Sequence, residues 1–210
     1  MASLQVMKPL AILLYFVLFV LHAAAYTPLS DNTLRSIPAA GTDFNIHSGG
    51  ILAPILIPRV PGTPGIESVQ EHFVDFFRSQ LPSWNLEWQN STSTTPVTGD
   101  RQIPFKNLIA LRDPPWAQPG ETSRLTLVAH YDSKINPPGF IGATDSAAPC
   151  AILMHAARSV DEALTMKWDA MAAEGATDLL SESEGVQILF LDGEEAFENW
   201  TDNDSLYGAR

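Results

Sequence analysis

Three short stretches carry side chains whose types and spacing suit metal or acid–base chemistry. They are His130-Tyr131-Asp132-Ser133-Lys134, Gly142-Ala143-Thr144-Asp145-Ser146-Ala147 and Asp192-Gly193-Glu194-Glu195. Imidazole and carboxylate are ordinary zinc ligands, and a catalytic zinc keeps one position open for substrate or water. His130 and Asp132 are two residues apart, so an extended chain puts them on one face. Glu194 and Glu195 adjoin at a strand end, where successive side chains point in different directions. One can then ligate a cation while the other faces a substrate. Each stretch also has a plainer reading. Asp-Gly-Glu-Glu reads as a solvated acidic loop, and Asp145 as the N-cap of the helix that follows it.

Positioning these residues requires strands and helices at their flanks. Val186 to Leu191 is an apolar run that reads as a buried strand ending on the acidic turn. Leu125 to Ala129 is a continuous apolar strand ending at His130, of the kind buried on both faces. Asn107 to Leu111 and Trp84 to Trp88 read as two more strands, with residues 90–100 as a Ser/Thr-rich surface loop. Ile66, Val69, Phe73, Phe76 and Phe77 fall at helical spacing and end near Pro82, and Pro149 to Leu164 reads as a second amphipathic helix. Residues 169–185 read as a helix end and a variable loop. Strands alternating with helices give an α/β layered domain. In open α/β sheets, sites form at the carboxyl ends of strands, where two of the three stretches lie.

The chain has 210 residues, enough for one domain with a real core; 45% are hydrophobic and 17% charged, so it is globular rather than disordered. A formal net charge of −12 disfavours nucleic acid as a partner and suits a secreted protein or a cation site. Cys150 is the one cysteine, which excludes an internal disulfide framework. Residues 1–25 read as a signal peptide: Lys8, the apolar stretch Pro9 to Leu21, then Ala23-Ala24-Ala25 before Tyr26. The expected location is extracellular, with no stable membrane association after cleavage. A retained membrane anchor in the secretory pathway is the alternative, although the stretch is short against the ~20 residues of a span. Asn90-Ser91-Thr92, Asn199-Trp200-Thr201 and Asn203-Asp204-Ser205 are sequons that agree with a secreted glycoprotein.

Taken together, the three stretches resemble the glutaminyl-peptide cyclotransferases, zinc enzymes on the fold of the M28 aminopeptidases. Arg59-Val60-Pro61-Gly62-Thr63-Pro64-Gly65 and Asp204-Ser205-Leu206-Tyr207-Gly208 match as well, so the likeness runs in order over about residues 55–210. It implies a three-layer α/β sandwich with a central mixed β-sheet flanked by helices, here a partial domain over residues 26–210. It implies one zinc per chain on Asp145 and Glu195, with Glu194 as the general acid/base and Trp200 as an aromatic wall of the substrate pocket. His130 and Asp132 match a His-x-Asp motif that sits beside the single zinc in the cyclotransferases. In the two-zinc aminopeptidases that histidine binds a second metal.

The implied reaction is an acyl transfer that converts the N-terminal glutamine of peptides or proteins to pyroglutamate with release of ammonia. The alternatives are a secreted M28 zinc aminopeptidase, a peptide hydrolase with two metals, and an inactive truncated homologue. Two departures stand out. Many animal members have a cysteine before His-Tyr-Asp that pairs with the one at the Cys150 position; here that residue is Ala129, and Cys150 reads as a small buried residue. The chain also stops at Arg210, within a family motif. The family's third zinc ligand (a histidine), an acidic pair and another pocket tryptophan are expected beyond it, and a sheet edge is expected to be exposed.

Overall fold

The computed structural model describes residues 29–118, 120–178 and 184–210; the leader expected over residues 1–25 lies outside them. The chain divides into two compact units, Met1–Pro38 and Ala39–Arg210. Of the first, the described part holds one short helix, α1 (Asp31–Ser36). Ser30 caps it, its Oγ accepting the Thr33 N–H at 3.1 Å.

Among its described residues the second unit holds four strands, β1 (Asn85–Ser93), β2 (Ile103–Arg112), β3 (Ser123–His130) and β4 (Glu184–Leu191), and two long helices, α2 (Pro64–Gln80) and α3 (Ala148–Ala173). The strand order is β1-β2-β4-β3. β1–β2 and β2–β4 are antiparallel, and β3–β4 is parallel. This is the mixed sheet with flanking helices that the sequence led us to expect. Proline opens α2, where its missing N–H has no helical partner to lose. The predicted stripe Ile66, Val69, Phe73, Phe76 and Phe77 is buried.

Register decides which strand residues meet that stripe. Leu108 pairs with Phe190 and Ala110 with Ile188, so these four share one face. They join α2 and the buried Cys150, Ala151, Met154 and Ala157 of α3 in one core. Phe73 stacks on Phe190 with ring centroids 4.4 Å apart and meets Tyr131 edge-on at 5.4 Å. At the far end of α3, Arg112 lies over the Trp168 ring at 4.7 Å and donates to Asp161 at 2.8 Å. Asp161 also accepts the Trp84 indole N–H at 3.0 Å. The segment before α2 is tied to α3 as well: Asp43 Oδ2 lies 2.9 Å from His155 Nδ1 and pairs with Arg158.

Several sequence expectations need correction. β1 runs on to Ser93 rather than giving way to a loop at residue 90, because β2 pairs with it through Ser93↔Ile103. α3 runs on to Ala173, with Trp168 and Met171 buried where a helix end was expected. β3 was expected to be buried on both faces, yet Leu125 is 66% and Val128 52% exposed. Among the described strands β3 pairs only with β4. No helix among the described residues is long and apolar enough to cross a membrane.

Phe73 is the centre of the aromatic packing and is fully buried. Phe73→Ala is expected to destabilise the fold by about 3–5 kcal/mol. Urea unfolding should show a lower midpoint with an unchanged slope.

Candidate metal centre

The parallel pair β3–β4 ends with His130 opposite Leu191, so the loops after both strands leave side by side. Tyr131 N–H donates to the Leu191 carbonyl at 2.8 Å, which carries the pairing one residue further. Asp132, fully buried, then bridges the loops. Its Oδ1 accepts the Glu194 N–H and its Oδ2 the Glu195 N–H, each at 3.0 Å. Asp132 Oδ1 also lies 3.2 Å from His130 Nδ1. The sequence placed Asp132 on one face with His130; its second task, shaping the Glu-Glu turn, was not legible.

The turn between the strand and the two glutamates needs Gly193. Its φ is +68°, and a Cβ there would lie 2.3 Å from Phe105 Cδ1. Asp192 is buried behind the turn, its N–H donating to Asn107 Oδ1 at 2.8 Å and its Oδ2 accepting the Lys106 N–H at 2.9 Å. Burial and the charge on Asp132 push Asp192 up to about 8.

The third loop is placed by Arg59. Its guanidinium is fully buried and donates to the carbonyls of Tyr131 (2.5 Å), Gly142 (3.0 Å) and Ile141. The Arg59 N–H donates to Ser133 Oγ at 3.0 Å. One side chain thereby ties the backbone just after His130 to the backbone just before Asp145. Burial lowers its pKa, while the carboxylates of Asp132, Asp145 and Glu195 act the other way. Sequence reasoning quoted Arg59 as part of a motif and assigned it no role. The one available signal was a lone arginine after an apolar run at Ile55–Ile57.

Asp145 does not cap α3: that helix has no side-chain cap, and Asp145 has non-helical φ/ψ. Instead Asp145 Oδ1 reaches His130 Nε2 at 2.9 Å. The His130 carbonyl accepts hydrogen bonds from Ser146 Oγ and Cys150 Sγ, which fastens the start of α3 under the site. Burial pushes the Cys150 thiol up to about 12, so it stays protonated, as a small buried residue should.

One donor atom each from His130, Asp145 and Glu195 lies within 4.8 Å of the other two. Among the described residues, Glu195 Oε1 is buried without a hydrogen-bond partner, and Oε2 lies 3.6 Å from Lys134 Nζ. A buried carboxylate oxygen left unpaired is costly, and a cation is a partner that removes the cost. Burial opposes charge on His130, but its hydrogen bonds to Asp132 and Asp145 and the charge on Glu194 outweigh it and lift the imidazole to about 9. The cluster thus draws positive charge to itself. Imidazole and two carboxylates converging this closely fit a divalent cation. Glu194 stands just outside the donor set, Oε2 3.9 Å from His130 Nε2. Burial raises its pKa; His130 lowers it, and Asp132 and Asp145 raise it further.

Beyond the glutamates, Asp204 gathers the chain into a tight turn. It accepts the N–H groups of Phe197, Glu198 and Asn199 at 2.8–2.9 Å and the Tyr207 hydroxyl at 2.7 Å. Trp200, 56% exposed, rises from this turn and lines a cavity of about 220 Å³ with Lys134, Ile135 and Phe197. Burial raises the Asp204 pKa, but these four hydrogen bonds outweigh it and hold the carboxyl below its ordinary range. A depressed folded value stabilises the protein above the unfolded pKa of ~3.9 and is lost as pH falls through the folded value. Asp204→Asn should therefore cost about 1.5–3 kcal/mol near neutrality. The gap between wild type and variant should close as acid unfolding is followed below about pH 4.

The model of Peptidase family M28 matches residues 109–210. The glutaminyl-peptide cyclotransferase-like protein of Bos taurus is 38% identical over 162 residues, covering 76% of this chain and 38% of that protein. The glutaminyl-peptide cyclotransferase of Bos taurus is 36% identical over 186 residues, covering 87% of this chain and 47% of the relative. The crystal structure of Macrostomum lignano glutaminyl cyclase superposes with a TM-score of 0.65 at 31% identity, over 89% of this chain and 49% of that one. The chain thus spans less than half the length of these curated relatives. Residues 109–210 thus carry the peptidase family M28 pattern, and most of the chain is similar to relatives named as glutaminyl-peptide cyclotransferases.

Proposed function

We propose that the protein is a zinc-dependent glutaminyl-peptide cyclotransferase acting on peptides or proteins that begin with glutamine. The observation that carries this reading is the convergence of His130, Asp145 and Glu195 with Glu194 poised beside them. The names of the relatives support the choice of substrate. Asp145 and Glu195 hold the metal, and His130 stands within the same donor set. When bound, zinc supplies Lewis acidity toward the side-chain amide carbonyl.

The chain's own residues do the rest. Trp200 offers an aromatic wall to the glutaminyl side chain above the cavity beside Lys134. Glu194 takes a proton from the substrate's α-amine, whose nitrogen attacks its own side-chain amide carbon. Glu194 then returns a proton to the departing nitrogen, so the C–N bond breaks, ammonia leaves and pyroglutamate remains. No water is consumed. The raised pKa of Glu194 suits a group that must both accept and release a proton. Asp132 keeps Glu194 and Glu195 in register through their N–H groups.

A second reading, a two-metal aminopeptidase, is favoured by the family's description and by the presence of His130 among the donors. We also infer that residues 1–25 are a cleaved leader and that residues 26–210 belong to a catalytic domain delivered to the secretory pathway.

Asp145→Ala and Glu195→Ala are each expected to abolish zinc binding, measured as metal content after dialysis. Stoichiometric zinc in either variant removes that residue from the ligand set. Glu194→Gln keeps the shape but cannot accept a proton. It should retain zinc and lose ~10²–10⁴-fold in turnover. Ammonia and pyroglutamate from a glutamine-initiated peptide identify the cyclase, and free leucine from a leucyl amide identifies the aminopeptidase. Near-normal turnover by Glu194→Gln on either substrate excludes Glu194 from the mechanism.

A further inference from the structure

On β1, Trp88, Asn90 and Thr92 alternate along the strand and share one face. Asn90 opens the sequon Asn90-Ser91-Thr92, with an aromatic residue two positions before the asparagine and a threonine two positions after it. Trp88 and Asn90 line a groove of about 630 Å³ between the β1–β2 hairpin and α2, together with Gln70, Arg78 and Lys106. Asn90 is exposed, and Trp88 is 38% exposed as a residue where a core tryptophan such as Trp84 is 5%.

We propose that Asn90 carries an N-linked glycan whose first N-acetylglucosamine lies in this groove against the Trp88 indole. The modification rests on the secretory route inferred above. Asn90 Nδ2 forms the bond to C1 of the first sugar of a lipid-diphosphate-linked oligosaccharide and gives up one proton. The bond from C1 to the diphosphate oxygen breaks, and the lipid diphosphate leaves with the electron pair. A pyranose has an apolar face of C–H groups, and an indole is a broad apolar surface with a negative π-face that receives them. Spacing of two on a strand puts ring and acceptor nitrogen on the same side. Arg78 and Lys106 offer donors to the sugar's hydroxyls and acetamide oxygen, and Glu67, Glu71 and Asp75 offer acceptors.

The other two sequons lack this setting. Asn199 and Asn203 lie in the turn gathered on Asp204, with Trp200 and Asp204 as their middle residues. A bulky or acidic middle residue makes a poor acceptor, and a glycan on Asn199 would stand next to the Trp200 cavity.

The test expresses the full chain in a eukaryotic secretory host, behind its own leader and, in parallel, behind a heterologous cleavable leader, and maps glycopeptides. Cell-free translation with microsomes reads the same modification without requiring a folded product. One glycan is expected, on Asn90, and it should disappear in Asn90→Gln and Thr92→Ala. Trp88→Ala should leave a glycan that endoglycosidase releases several-fold faster from the native protein, with Trp88→Phe restoring slow release. A bare Asn90 in translocated chain, or glycan on Asn199 or Asn203 in its place, overturns the assignment. Unchanged release from Trp88→Ala overturns the docking in the groove. Modification behind the heterologous leader but not behind the native one overturns the secretory route and leaves the acceptor standing.

Discussion

A single buried carboxylate, Asp132, sets the geometry on which the candidate centre depends. Two loops leave the ends of neighbouring parallel strands, and nothing in strand pairing itself dictates their shape past the last ladder bond. Asp132 dictates it by accepting two consecutive backbone N–H groups from the opposite loop while turning its remaining valence to His130. A carboxylate is suited to this because it is acceptor-only and offers lone pairs on two oxygens. Charge-assisted bonds of this kind are stronger than neutral ones, which offsets the cost of burying the charge. Asp204 repeats the device at the next turn with three N–H groups and a hydroxyl. Arg59 is its mirror image, a buried cation satisfied entirely by carbonyls.

The electrostatic outcome is a cluster of carboxylates with too little positive charge of its own. Asp132, Asp145, Glu194 and Glu195 crowd around one imidazole and one lysine. The imidazole responds by holding its proton, and the two glutamates are raised by burial. Shifts of this kind gathered within a few ångströms mark sites for a cation or a proton transfer more often than surface networks do. Here they coincide with an unpartnered buried oxygen on Glu195.

Much of this was legible in the chain. The α2 stripe is a run of large apolar residues at unmistakable helical spacing, and the apolar run into Asp-Gly-Glu-Glu could end only at a strand terminus. The three acidic stretches were picked out by residue type, and Trp200 by the family resemblance alone. What escaped was whatever depended on contacts between distant segments. Arg59, Asn107 and Asp204 act through hydrogen bonds to backbone groups, which leave no pattern in side-chain identity. The exposure of Leu125 and Val128 is set by β3's place in the sheet, and a continuous apolar run reads the same at a margin as at the centre. β1 outran its expected end because pairing with β2 overrode a weak local preference of serine and threonine for loops.

The ties around His130 span long stretches of chain. Arg59 reaches Tyr131 across 72 residues and Gly142 across 83, and Asp132 reaches Glu195 across 63. Contacts so far apart in sequence form late, after the loop-closure entropy of the intervening chain has been overcome. The helices can fold on their own local patterns while the donor set still lies scattered. During synthesis, a chain that has emerged only as far as α3 holds Arg59, His130 and Asp145 but lacks the strand and turn that bring Glu195 to them. Convergence of the three candidate donor residues therefore reports that the parallel β3–β4 pair has docked.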